Sequence, residues 1–165
     1  MARFQQKLGL LAAVALAGAL ALLGDGLTAR AAPIAVIEGE ALDVSAEHLD
    51  VDVERGTATL RGNVVARLGE LEVRCPTIEL SYDESPRVKW ARAKDGVSAR
   101  FKGIEATSTS AELDAKSRTV TLTGGVRLAR GRGWVTAEQA TVDIASGKVS
   151  LREVKGSLPV DPTHH

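Results

Sequence analysis

The phrase T-L-R-G-N-V at Thr59–Val64 returns 62 residues later as T-L-T-G-G-V at Thr121–Val126. Repetition at a fixed offset restricts a chain to architectures that use one supersecondary unit more than once. The same offset aligns Asp52 with Asp114, Thr57 with Thr119, Leu60 with Leu122 and Gly62 with Gly124. A half-step is also present: Asp83 lies 31 residues from both Asp52 and Asp114, and Asp143 follows Asp114 by 29. Each copy reads as an alternating segment ending at an aspartate, a polar turn and a second alternating segment. Aspartate accepts hydrogen bonds from nearby backbone in turns, so these four are expected to form turns and not to act as catalytic acids.

Within Thr57–Leu68, Ala58, Leu60, Gly62, Val64, Ala66 and Leu68 alternate with Thr57, Thr59, Arg61, Asn63 and Arg67. Period two is the pattern of a half-buried strand. The later copy keeps the parity, with Val120, Leu122, Gly124, Val126 and Leu128 on one face against Thr119, Thr121, Thr123 and Arg127. Turn signals at Gly69, Asp83–Pro86, Asp95-Gly96, Gly103 and Ser146–Lys148 punctuate the chain. Many short strands without a long helical pattern predict an all-β domain; the alternation around Ser45–Leu49 and Ser110–Asp114 argues against reading either as a helical turn. By parity the repeated glycine falls on the inward face of a long strand, where it permits a bulge or bend. The same bend in successive units is expected to curl the sheet around an aliphatic trough. Only four aromatics follow the N-terminal region (Tyr82, Trp90, Phe101 and Trp134), so the slim lining is expected to leave room inside.

Arg3 and Lys7 precede an apolar run, Leu8–Leu23, and Ala29-Arg30-Ala31 supplies a small-x-small cleavage site. This is the order of an export signal over residues 1–31. The run has 16 residues, short of the ~20 that span a bilayer. Cleavage would leave 134 of the 165 residues, enough for one domain, with a formal charge of −2. Such a balance gives no general attraction to nucleic acid. Cys75 is the sole cysteine; between Val73 and Ile78 it reads as a small buried hydrophobe.

Catalytic groupings are missing from the sequence. His48 stands alone, His164 and His165 end the chain, and no second ligand lies at metal-binding spacing. There is no nucleophile elbow, phosphate-cradling loop or Cys–His couple. Neither an enzyme nor a cofactor is indicated. The basic stretches Arg87–Lys94 and Arg127–Trp134 read first as solvated strand faces, and second as contacts for phosphate groups of an anionic amphiphile.

The export signal, the aspartate-marked repeats and the stretches A-T-L-R-G-N-V-V-A, V-T-L-T-G-G-V-R-L and A-T-V-D-I-A-S-G-K-V resemble the OstA-like family of periplasmic lipopolysaccharide transport proteins, which includes LptA. The resemblance runs from about Ala41 to Leu158. It implies an open β-jellyroll over residues 32–158, followed by a tail at 159–165. It also implies head-to-tail stacking with itself and with like-folded partners between the two membranes, with lipopolysaccharide acyl chains in the groove. The groove would be lined by Leu60, Val64, Ala66, Leu68, Leu71 and Val73. Ile78, Leu80, Phe101, Val120 and Leu122 would continue it, and Val126, Leu128, Val142 and Ile144 would complete it. Two alternatives accompany this reading. One is an LptC-like jellyroll that keeps Leu8–Leu23 as a membrane anchor; the other is a β-repeat scaffold that binds only protein and has a fully packed interior.

Overall fold

The structure is a computed structural model that describes residues 35–84 and 86–157. The expected export signal and the 159–165 tail lie outside the described residues. Strands β1 (Val36–Ile37) and β2 (Glu40–Ala41) form a short hairpin, followed by β3 (Asp43–Ser45), β4 (His48–Asp52) and the long β5 (Thr57–Leu68) and β6 (Leu71–Glu84). Next come β7 (Arg87–Lys94), β8 (Val97–Phe101), β9 (Ile104–Ser108) and β10 (Ser110–Asp114). Two more long strands, β11 (Thr119–Arg130) and β12 (Gly133–Asp143), precede β13 (Val149–Arg152) and β14 (Lys155–Ser157). No helix occurs among the described residues. The 62-residue repeat is structural: β5 and β11 each have twelve residues and start 62 apart, as do β4 and β10.

All fourteen strands belong to one hydrogen-bonded sheet, folded on itself into two leaves. The four long strands run through both. In the first leaf the order is β4, the start of β5, the end of β6, β7, β10, the start of β11, the end of β12, and β13. In the second it is β3, the end of β5, the start of β6, β8, β9, the end of β11, the start of β12, and β14. Pairing is antiparallel except where Val36 meets Arg87.

The fold line follows the repeated glycines. Register slips between Arg61 and Val64 against β6, and between Thr123 and Val126 against β12, so two residues oppose one, as in a β-bulge. Gly62 (φ 80°) and Asn63 (φ 46°) are both left-handed, as are Gly124 (φ 84°) and Gly125 (φ 63°). The expected bend is present, but the glycines are not on the inward face. The bulge turns the Cα away from the strand's parity, and each glycine supports a segment crossing between leaves. The Glu47 amide donates to the carbonyls of Arg61 and Gly62 at 3.1 Å, and Asn63 Nδ2 donates to Glu47 Oε1. In the second unit the Thr109 amide and hydroxyl donate to the Gly124 carbonyl at 2.9 and 3.0 Å. A Cβ at Gly62 would lie 2.6 Å from Glu47, and one at Gly124 would lie 2.6 Å from Thr109.

The aspartates form turns as expected. Oδ1 of Asp52, Asp114 and Asp143 accepts from the amide three residues on, at Arg55 (3.0 Å), Ser117 (2.8 Å) and Ser146 (2.9 Å). The turn after Asp83 includes Ser85, which lies outside the described residues. Bonds from Ser117 and Ser146 hold the Asp114 and Asp143 carboxyls below their ordinary range. A carboxyl depressed by folding contributes stability that is present above its unfolded pKa and lost as pH falls through the folded one. Chemical denaturation from pH 7 to pH 2 should therefore show stability falling below about pH 4. The Asp114→Asn/Asp143→Asn variant should show a shallower fall over the same window.

Candidate functional site

The residues with the strongest period-two signal share one interior. Leu60, Val64, Ala66, Leu68, Leu71, Ile78 and Leu80 are buried on β5 and β6. Phe101 closes β8, while Val120, Leu122, Val126 and Leu128 on β11, Val142 on β12 and Ile144 just beyond it are also buried. Val73 is half-buried and packs on the same core. Thr59, Arg61, Thr121 and Arg127 lie on the outer face, with Arg61 ion-paired to Asp50 at 2.8 Å.

Between the leaves the interior is narrower than the expected trough. Val126 is 0% exposed, and the apolar cavity between the leaves measures about 50 Å³, room for a few water-sized groups at most. Its walls are Ile78, Ala93, Ala111, Leu113 and Val120 from one leaf and Ala66, Leu68, Leu71 and Val73 from the other, with Leu42 at the rim. Small lining residues do not hold the leaves apart. They let the leaves close, leaving Ala58, Ala66, Ala93, Ala99, Ala106, Ala111, Ala115, Ala137 and Ala140 buried between them. Most of these alanines were missed as lining, although alternation in A-R-A-K and A-E-L-D marks some of them.

The two ends are less closed. At one edge Leu49 and Val51 on β4 sit opposite Leu60 and Ala58 and so share their inward face, yet they are 46% and 59% exposed. At the other edge Val149 and Leu151 on β13 sit opposite Val142 and Ala140 and remain half-buried. With Ile104, Leu128 and Val135 they line an open apolar hollow of about 280 Å³ rimmed by Arg130 and Trp134. Strands β3, β4, β13 and β14 each pair along one side only. The apolar interior therefore reaches solvent beside unpaired strand edges at both ends.

Outer faces carry charge in pairs, most of them across strands. Arg67 and Arg74 meet Glu72 at 2.8 and 2.7 Å, and hydrogen bonds from Arg74 and then Arg67 hold that carboxyl below its usual range. Arg100–Glu105 (2.9 Å), Lys94–Glu79 (2.7 Å) and Arg92–Glu112 (2.8 Å) continue the pattern. The first basic stretch is a strand face and the second is strand ends with the turn at Gly131-Arg132 between them; Arg92 lies over Trp90 (5.0 Å) and Arg127 over Trp134 (5.2 Å). Cys75 is buried, its thiol 3.3 Å from the Thr77 carbonyl, and burial raises its pKa to about 11. It should not react with a thiol reagent at pH 8 in the folded protein and should react fully once denatured. Rapid labelling of native protein would contradict this burial.

No group of three or more His, Cys, Asp or Glu side chains able to hold a metal occurs among the described residues. A jellyroll sheet with an apolar interior reaching both ends, and with charges paired on its outside, defines a carrier or connector. Residues 43–148 match the family described as LptA/(LptD N-terminal domain) LPS transport protein, and the chain belongs to that family. Its role is transport, not catalysis. Among solved structures the fold is similar to the crystal structure of LptH, the LptA-homologous periplasmic component of the conserved lipopolysaccharide transport device from Pseudomonas aeruginosa. That likeness has a TM-score of 0.64 and 15% identity, covering 73% of this chain and 96% of that one. No curated protein matches the sequence.

Proposed function

We propose that this chain is a periplasmic bridge component that passes lipopolysaccharide between membranes, with acyl chains against the inner faces of the leaves and sugars in water. The observation that carries this reading is the exposure of the inward-facing Leu49 and Val51 at one end and the open hollow at Val149 and Leu151 at the other. An apolar strip that runs out at two unpaired edges is completed by stacking a like-folded partner on each. One methylene in water costs about 0.8 kcal/mol, so a twelve-carbon chain costs on the order of 9 kcal/mol unless shielded. Residues 1–31 supply export as a cleaved signal, residues 32–158 the jellyroll and 159–165 a tail.

The test is site-specific photocrosslinking in cells. A photoreactive side chain at Val51, Val64 or Leu151 should capture lipopolysaccharide, and one at Thr59 or Thr121 should not. Equal capture from both faces, or none from folded protein, would overturn the proposal. Association should be concentration-dependent and open-ended, because unlike edges that meet without closure keep adding subunits. Sedimentation over a hundredfold concentration range checks this; a fixed dimer throughout would contradict it.

A further inference from the structure

The seam opposite the fold line is covered by a segment outside the family match. The 35–42 hairpin precedes the matched residues 43–148, yet it buries Ala35, Ile37 and Leu42, the first two completely. It spans both leaves. In the first leaf, the Val36 amide donates to the Pro86 carbonyl at 2.8 Å and Glu40 Oε2 meets Arg118 Nη2 at 2.9 Å. In the second, Glu40 Oε1 lies 3.2 Å from where a Cβ on Gly69 would sit.

The attachment is slight. The hairpin meets β7 at one residue pair, Val36 with Arg87, whereas β5 and β6 share ten. Arg118 Nε is buried without a hydrogen-bond partner, so the ion pair that anchors the turn is incompletely satisfied. Leu42 also walls the 50 Å³ cavity. The apolar side chains of Ala35, Ile37 and Leu42 thus cover the seam; with them lifted away it would be a slot in which a hydrocarbon of similar width makes equivalent contacts.

We propose that the slot under this hairpin is an acyl-chain site, and that Ala35, Ile37 and Leu42 hold it shut until a lipid chain displaces them. This rests on the lipid-carrier reading and gives it a point of access: the chain enters sideways through the seam, and the hairpin returns when the cargo leaves. The narrow, covered interior is then the empty state, in which the protein shields its own apolar surface with its own residues.

Locking the hairpin tests this. In a Cys75→Ser background, Val36→Cys with Arg87→Cys places two thiols at paired strand positions, where a disulfide is geometrically accessible. Binding is read with a polyene fatty acid that fluoresces on leaving water, and by its displacement with purified lipopolysaccharide. The oxidised protein, with the bond confirmed by mass and the fold by circular dichroism, should bind at least tenfold more weakly than the reduced protein. Glu40→Gln, which removes the charge from the part-buried anchor without altering the side chains over the slot, should bind at least threefold more tightly than wild type. Equal binding by locked and reduced protein would overturn the plug and leave the carrier reading intact. No binding of fatty acid or lipopolysaccharide by either wild type or Glu40→Gln would overturn both.

Discussion

Val126→Asp should eliminate the cooperative unfolding transition or lower its midpoint by roughly 15 °C or more. Val126 is fully buried next to the bulge, pairs with Ala137 on β12 and belongs to the hydrophobic core. Burying an unpaired charge costs about 4 kcal/mol or more, against a total stability of about 5–15 kcal/mol for a domain. Its first effect is on stability, so loss of transport by this variant would say nothing about cargo. Arg61→Gln is the control: it removes a solvent-exposed ion pair with Asp50 and should cost less than about 1 kcal/mol. Thermal unfolding of the two variants side by side checks the contrast.

Gly124→Ala should cost about 3 kcal/mol, and Gly125→Ala about 1 kcal/mol, although the two glycines are neighbours with similar backbone angles. Both are left-handed, which sets the shared part of the cost. The difference comes from space. A Cβ at Gly125 meets nothing within 4 Å, whereas one at Gly124 lies 2.6 Å from the Cβ of Thr109. Thr109 cannot retreat without losing its bonds to the Gly124 carbonyl, which hold the crossing from β9 to β10 at the fold line. Adding Thr109→Gly to Gly124→Ala should recover part of the loss and leave the conformational part. Equal costs for the two single variants in urea denaturation would show that the crossing is not tightly seated.

The repeat made the succession of strands and turns in each unit legible, along with the glycine at which β5 and β11 bulge. Alternation also brought Leu60, Val64, Leu122 and Val126 to one interior, because period two holds on each side of the bulge. It failed at the bulge, where two successive left-handed residues turn Gly62 and Gly124 toward Glu47 and Thr109. Parity along a strand carries no information about a segment that crosses over it. Nor does lining composition fix a volume: alanine faces can leave a gap or let the leaves meet, and here they meet. The hairpin was harder to see. At the repeat offset its counterpart is β8, a regular strand paired with β6 and β9, whereas residues 35–42 leave that pattern to fill the seam. Self-comparison finds what the two units share, and the hairpin is where they differ.

Taken as β3 to β8 and β9 to β14, the two units each contribute four strands to either leaf, and the bend recurs at the same residue of each unit. The angle between the leaves is therefore set locally by the bulges, while the extent of the interior along the stack is set by the number of copies. With neighbouring strands about 4.8 Å apart, one copy adds roughly 20 Å. Duplicating the unit within the gene would extend the same cross-section by the same kind of increment. A protein built this way can be lengthened to suit a wider gap between membranes without redesigning its inner surface.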